Sequence, residues 1–276
     1  MLLNAVHRIW GRQRFVQTTD AEIQELFAAT MPLGAPIESS EVERLAPAVR
    51  RWLERSGVVG RPRPTSVRLL QDGQLRTSRN GPAMSARADQ YVRIPDPAFI
   101  WRVDTRLFRL LSFTGRDRYS SGHGNMRIQL ASLMDVVNAD DEKIASGALL
   151  RFLAEMVWYP SAALEPYVDW QAVGETHATA RLRHAGLEVE ASFEVDADGR
   201  VVGVSAERFL GGGEGAKLEP WSVRCTAWGR FAGVEVPTEG TVAWDLEAGS
   251  FVYYRWRVTD VEYDRPCVYQ QKSVWE

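Results

Sequence analysis

The sequence predicts an α+β fold: a curved, mostly antiparallel β-sheet, a half-barrel, wrapped on a central helix, with an N-terminal helical cap. Three features predict it. From Val67 onward apolar residues recur with period two, as half-buried strands require. One long stretch, 141–157, keeps helical spacing among the strands. The links between predicted strands run mostly about two to six residues, too short for crossover helices, so neighbouring strands must be antiparallel.

The elements follow in order. Leu2, Leu3, Val6, Ile9 and Trp10 fall at helical spacing among His7, Arg8, Arg12 and Arg14. Such a segment could lie on a membrane surface, but packing on its own domain is the simpler fate. Thr19 or Asp20 is expected to cap a helix through Ala29 with Ile23, Leu26 and Phe27 as its apolar side. Ser40 and Glu43 read as a capping box for a second helix carrying Val42, Leu45, Val49, Trp52 and Leu53, with Gly57 at its C-terminal cap. The run Gly60-Arg61-Pro62-Arg63-Pro64 is a stiff connector.

Residues 67–70 and 74–77 flank Asp72-Gly73 and read as a hairpin. Strands are expected near 86–94, 99–103 and 126–133, then the helix over 141–157, ended by Pro160. After it the alternation is clean. Leu187, Val189, Ala191, Phe193 and Val195 take one side, and Glu188, Glu190, Ser192 and Glu194 the other. Asp196-Ala197-Asp198-Gly199 turns the chain into a strand over 200–210, and strands over 221–230, 241–246 and 251–263 follow. Gly211-Gly212-Gly213 is a loop that could serve as a lid. The expected organisation is one structural unit, with an N-terminal helical segment over 1–60 and the half-barrel over 61–276.

Composition narrows the function. Apolar residues make up 45% and charged residues 25%, the balance of a packed globule. A net charge of -3 gives no general field for nucleic acid, which is excluded as a partner. Cys225 and Cys267 are the two cysteines, too few for a disulfide framework; they are expected as reduced, mostly buried thiols. With no secretory leader pattern and no run of about 18 apolar residues, a cytoplasmic location is expected. His7, His123, His177 and His184 share no metal-ligand spacing, and Asp140-Asp141-Glu142 lacks the spacing of a calcium loop, so no metal is expected. Nor does any motif call for a cofactor: phosphate-loop and hydrolase signatures are missing.

Two clusters could carry chemistry. Arg151 and Glu155 stand four apart on the long helix, next to Phe152, Leu153, Met156 and Val157, with Trp158 three further on. At a cavity wall, Glu155 would be a carboxylate of tunable pKa and Arg151 an anchor for a ligand's anionic or carbonyl group. On an ordinary helix surface they would be a solvated ion pair. The second cluster runs from Gly115 to Met126, where Asp117, Tyr119 and His123 could supply a carboxylate, a phenol and an imidazole. A hairpin with local hydrogen bonds accounts for the same residues. In the last strand Val252, Tyr254, Trp256 and Val258 make a wholly apolar side, and Trp170, Trp221, Trp228 and Trp244 add indole to the same half. Aromatics in this density either fill a sheet core or line a cavity.

The sequence also resembles a bacterial family catalogued only as a domain of unknown function, over about 45–263. The carriers are Leu45-Ala46-Pro47, Arg51-Trp52-Leu53, Ser56-Gly57, Leu70-Gln71, Ala88-Asp89-Gln90-Tyr91, and Pro97 with Phe99-Ile100-Trp101. Gly115-Arg116-Asp117-x-Tyr119, Gly122-x-Gly124-x-Met126, Arg151-Phe152-Leu153-Ala154-Glu155, Trp158-Tyr159-Pro160 and Pro220-Trp221 complete the set. That family is similar in expected shape to periplasmic lipoprotein carriers, half-closed antiparallel sheets with helices plugging the concave side. The resemblance implies an apolar groove and no particular reaction. Many members begin with a membrane segment, which this sequence does not show. It also lacks, near Pro82-Ala83-Met84, an aromatic usual in the family, an absence that could enlarge the pocket.

Together these readings give a protein that holds a hydrophobic small molecule between the curved sheet and the central helix, touching Arg151, Trp158, Trp101, Tyr254, Trp256, Trp221 and Met126. The alternative is a cofactor-independent isomerase, cyclase or lyase on the same scaffold. In it Glu155 or Asp117 would be the base, Tyr119 or His123 the acid, and Arg151 the anchor.

Overall fold

The computed structural model describes residues 2–28, 33–107, 111–130 and 134–270, with side chains from Gly11 onward. Three helices come first: α1 (Leu2–Ala28), α2 (Ser39–Val42) and α3 (Pro47–Ser56). The strands β1 (Ser66–Leu75), β2 (Met84–Arg93), β3 (Ala98–Leu107), β4 (Leu111–Ser120), β5 (His123–Leu130) and β6 (Met134–Ala139) then form a meander. Helix α4 (Glu142–Glu155) and two 3₁₀ turns, Met156–Trp158 and Pro160–Leu164, lead to a second meander. It comprises β7 (Val168–Val173), β8 (His177–His184), β9 (Leu187–Val195), β10 (Val201–Leu210), β11 (Lys217–Phe231), β12 (Val234–Leu246) and β13 (Gly249–Tyr263).

The two meanders join where β1 pairs antiparallel with β13, giving one 13-stranded sheet with β6 and β7 at its ends. Helix α4 is therefore the crossover between opposite ends of the sheet. It packs against β4 and β5 on one arm and β9 and β10 on the other, so the sheet curves around it without closing. Asp141 starts this helix by accepting the backbone N–H groups of Lys143 and Ile144 at 2.9 and 3.2 Å. The predicted end at 157 shortens to Glu155 because the chain tightens into 3₁₀ turns before Pro160, which has no N–H to continue the ladder. Leu149, Phe152, Leu153 and Met156 are fully enclosed by the concave face.

Several local expectations are corrected. Asp72-Gly73 is not a hairpin tip; β1 runs straight through it. Glycine is needed there because a Cβ would sit 2.5 Å from the Arg255 carbonyl and 2.8 Å from the Tyr254 ring. The expected cap at Thr19 lies inside the continuous α1, where its hydroxyl bonds back to the Phe15 carbonyl at 2.9 Å. The capping box belongs to Glu38 and Glu41, and Pro47 at the first turn of α3 splits what was read as one helix. Gly57 does end α3. Strands β4, β6, β7 and β8 were missed, and the apolar set at Leu2–Trp10 has side chains outside the described residues.

The N-terminal helices do not form one cap. Val49, Trp52 and Leu53 of α3 enter the main core, where Trp52 stacks on Phe193 with centroids 5.9 Å apart. Helix α1 covers the other face: Ile23, Leu26 and Phe27 meet Tyr91, Ala98 and Ile100, which alternate with the inward residues of β2 and β3. Arg102 on that face bonds Asp20 of α1 at 2.7 Å.

Candidate functional site: an apolar cavity under helix α4

Strand register builds the wall of the site. Gln90 lies opposite Trp101, Trp101 opposite Asp117, and Asp117 opposite Met126, so four strands present these side chains in one row. Across it lies Arg151 of α4. Its Nη1 donates to Asp117 Oδ2 at 3.0 Å, its Nη2 to Gln90 Oε1 at 3.4 Å, and its Nε to Glu155 Oε1 at 2.7 Å. The guanidinium carbon stands 4.6 Å from the Trp101 ring centroid, a cation–π contact. Gln90 closes the network by donating to Glu155 Oε2 at 2.6 Å. The ion pair is thus held inside the molecule rather than on a solvated helix face.

Between this network and strands β1, β11, β12 and β13 lies a cavity of about 560 Å³. Trp101, Met126, Trp158, Trp221, Tyr254 and Trp256 line it, as do Asp117, Arg151 and Glu155. Trp158 meets Trp256 edge-on at 5.2 Å and donates to the Pro237 carbonyl at 3.0 Å, which fixes its ring against the cavity. Pro82 and Met84 lie on the rim where the family aromatic was expected.

Burial pushes the Glu155 carboxyl above its ordinary value, although Arg151 and Gln90 pull the other way. The guanidinium of Arg151 goes up too: burial disfavours its charge, but Glu155 and Asp117 outweigh that cost. Burial likewise raises the Tyr254 phenol. An apolar space with one desolvated carboxylate beside a fixed cation can bind an apolar molecule and orient one polar group on it.

Not every predicted residue reaches this space. His123 is exposed at the β4–β5 tip, where its Nδ1 contacts the Ser121 carbonyl at 2.9 Å. Tyr119 is fully buried, and burial pushes its phenol up to about 12. Its hydroxyl pairs with His184 Nδ1 at 2.8 Å, and His184 Nε2 pairs with Asp96 Oδ1 at 2.7 Å. Tyr119 therefore clips the tip of the β4–β5 hairpin to that of β8–β9. The tip turns left-handed at Ser121 and Gly122, with φ of 51° and 81°, which is why glycine follows serine there. Neither Tyr119 nor His123 shares a site with Glu155. Trp170 packs on Trp52 and Phe193 in the core at 6.2 and 5.1 Å, away from the cavity.

Gln90 and Gln71 were missed. Each is a glutamine inside an otherwise apolar inward series, Ala86-x-Ala88-x-Gln90-x-Val92 and Val67-x-Leu69-x-Gln71, and that interruption was the available signal. Gln71 Oε1 accepts from Trp101 Nε1 at 3.1 Å and from the Tyr254 hydroxyl at 3.4 Å, holding both rings. The Gly211-Gly212-Gly213 loop is tied to the start of α4, since the Gly213 N–H donates to Asp141 Oδ2 at 2.8 Å. Both thiols are free, and Cys267 is exposed rather than buried.

The family model described as "Family of unknown function (DUF6544)" matches residues 35–256. The chain belongs to this family. No curated protein matches it by sequence. This DUF6544 chain is similar to a DUF1329 family protein from Desulfovibrio piger, at 9% identity and TM-score 0.46 over 84% of this chain and 95% of that one. It is also similar to a domain assigned to outer membrane lipoprotein sorting from Vibrio parahaemolyticus, at 8% identity and TM-score 0.44 over 81% and 94%. A LolA superfamily protein from Nitrosomonas europaea matches at 8% identity and TM-score 0.43 over 83% and 97%. The cytoplasmic location expected for the DUF6544 chain is corrected here, because similarity to a protein assigned to outer membrane lipoprotein sorting points away from it. Among the described residues no helix is long and apolar enough to cross a membrane.

Proposed function

We propose that the protein binds a hydrophobic small molecule, lipid-like in character, in the cavity between α4 and the concave sheet. One observation carries this reading. A space of about 560 Å³ inside the fold is lined by Trp101, Trp158, Trp221 and Trp256 where a folded core would place packed side chains. Filling it with a ligand removes apolar surface from water, worth roughly 25 cal/mol per Å² before the costs of association. Mass spectrometry of the native protein, followed by organic extraction, tests the idea. A stoichiometric apolar molecule is expected. Protein free of any such molecule, and unable to bind a neutral fluorescent probe such as N-phenyl-1-naphthylamine, would sink it.

A second reading keeps Glu155 as an acid–base group, because burial raises its carboxyl while Arg151 stands beside it to orient a substrate carbonyl. Asp117 is the other carboxylate at the same guanidinium. With Tyr119 and His123 elsewhere, Tyr254 is a phenol on the wall that serves as the partner acid in this reading. Glu155→Gln separates the readings: binding persists in both, but turnover of an apolar substrate falls by about two to four decades only in the second.

A further inference from the structure

Two arginines turn their side chains toward the cavity, Arg151 and Arg208. Arg116 and Arg127 border it only from the strands: Arg116 stands opposite Arg102 and Arg127 opposite Arg116, on the face that α1 covers, where they pair with Glu22 at 3.1 Å and Asp135 at 2.8 Å. Arg151 is neutralised by Glu155 and Asp117. Arg208 on β10 differs, for among the described residues it makes no ion pair. Glu219, directly across on β11, stands in register with it without forming one.

The guanidinium of Arg208 is nevertheless held in place. Nε donates to the Gly147 carbonyl of α4 at 3.3 Å and Nη1 to the Tyr253 hydroxyl oxygen at 3.5 Å. Its carbon lies 5.2 Å from the Trp221 ring centroid and 5.7 Å from that of Trp244. Among the described residues Nη2 has no hydrogen-bond partner. Tyr253 is prepared as well. Its oxygen also accepts from Trp221 Nε1 at 3.1 Å, which leaves its own proton to donate. An oriented cation and a free phenolic proton thus stand together at the cavity wall. Arg208 also borders a second, more polar groove reaching Glu190 and Asp245.

We propose that Arg208 and Tyr253 bind the carboxylate of a long-chain fatty acid whose hydrocarbon chain occupies the cavity. The inference rests on the apolar-ligand reading above and specifies its ligand class. A planar carboxylate fits one guanidinium edge and one hydroxyl donor, and its single charge balances the single unpaired cation. A phosphate dianion would keep charge without a partner.

Binding of palmitate and of hexadecanol, the neutral counterpart, measured by tryptophan fluorescence and calorimetry, tests this directly. Wild type is expected to prefer palmitate by roughly 10- to 100-fold. Arg208→Gln should abolish that preference and leave hexadecanol affinity within about twofold, while Tyr253→Phe should reduce the preference in part. A preference unchanged in Arg208→Gln, or absent in wild type that binds hexadecanol, overturns the carboxylate site and leaves the apolar cavity standing. If neither ligand binds wild type, both proposals fall. Near-ultraviolet circular dichroism matching wild type establishes that the variants are folded; should Arg208→Gln not fold, Arg208→Lys carries the same test, with the preference expected to drop because the planar fork is lost.

Discussion

Gln90 of β2 donates to Oε2 of Glu155 at 2.6 Å while Arg151, one turn earlier on α4, donates to Oε1 at 2.7 Å, so both oxygens of the buried carboxylate are held. The same guanidinium reaches Asp117. One cation therefore serves two carboxylates that are only 14% and 12% exposed, and removing it strands both. Arg151→Met should lower stability by about 3–5 kcal/mol, the usual cost of breaking a buried pair by removing one partner. Urea unfolding measures it. Adding Asp117→Asn and Glu155→Gln to Arg151→Met should recover much of the loss, since no buried charge then lacks a partner. A triple variant no more stable than the single one would show that the cost lies in packing.

The raised carboxyl of Glu155 fixes the sign of a pH effect. A group whose folded pKa lies above its unfolded value favours the folded state when protonated. Its contribution is fully present below about the ordinary value of 4.5 and is lost as pH rises through the folded pKa. Wild type should therefore lose stability relative to Glu155→Gln as pH climbs from 4.5 toward neutrality. Stability curves of the two proteins measured across that range give the answer; a constant difference would mean that Arg151 and Gln90 cancel the effect of burial.

Tyr119 tests whether the clip between the hairpin tips is structural. Tyr119→Phe removes the hydroxyl that meets His184 Nδ1 and should cost about 0.5–1.5 kcal/mol. Because Tyr119 does not line the cavity, probe affinity should stay within about twofold of wild type. A large drop in binding with little loss of stability would place Tyr119 in the ligand site after all.

Thiol chemistry offers an independent check on the β11 core. Burial pushes the Cys225 thiol up to about 12, whereas Cys267 is exposed. Ellman's reagent should label one thiol per folded chain and two in urea. Two fast-reacting thiols in the native protein would mean that β11 is not packed as described.

How much of this was legible depended on range. Strand β9 could be read because Leu187, Val189, Ala191, Phe193 and Val195 alternate against mostly charged neighbours, and on that side all but Leu187 are buried. Asp72-Gly73 misled because a turn signal is local, whereas the reason for Gly73 is the ring of Tyr254 on a strand about 180 residues away. Arg151 and Glu155 were visible as a helical pair in apolar surroundings. Their partner Gln90 was not, since the β2–β3–β4 register that aligns it with Trp101 and Asp117 is set by tertiary pairing. Tyr119 and His123 looked like site residues from their types alone. Position along the hairpin excludes them: β4 turns Asp117 and Tyr119 to the same face, but Tyr119 lies beyond the cavity near the hairpin tip, and His123 lies past the turn.

Met84 gives the sharpest test of the cavity itself. It is buried on β2, two residues before Ala86 on the inward side, and with Pro82 it borders the open space. Met84→Trp would push an indole into that space. If the volume is free to receive it, stability should hold or rise, because new apolar surface is buried without strain. Affinity for N-phenyl-1-naphthylamine should meanwhile fall by roughly tenfold, the effect of losing about 50 Å² of apolar contact at about 25 cal/mol per Å². A solid core would respond in the opposite way, with a stability loss of about 1–3 kcal/mol from overpacking. Urea midpoints and probe titrations on the same preparations distinguish the two, and lost stability with unchanged binding would remove the cavity from any account of function.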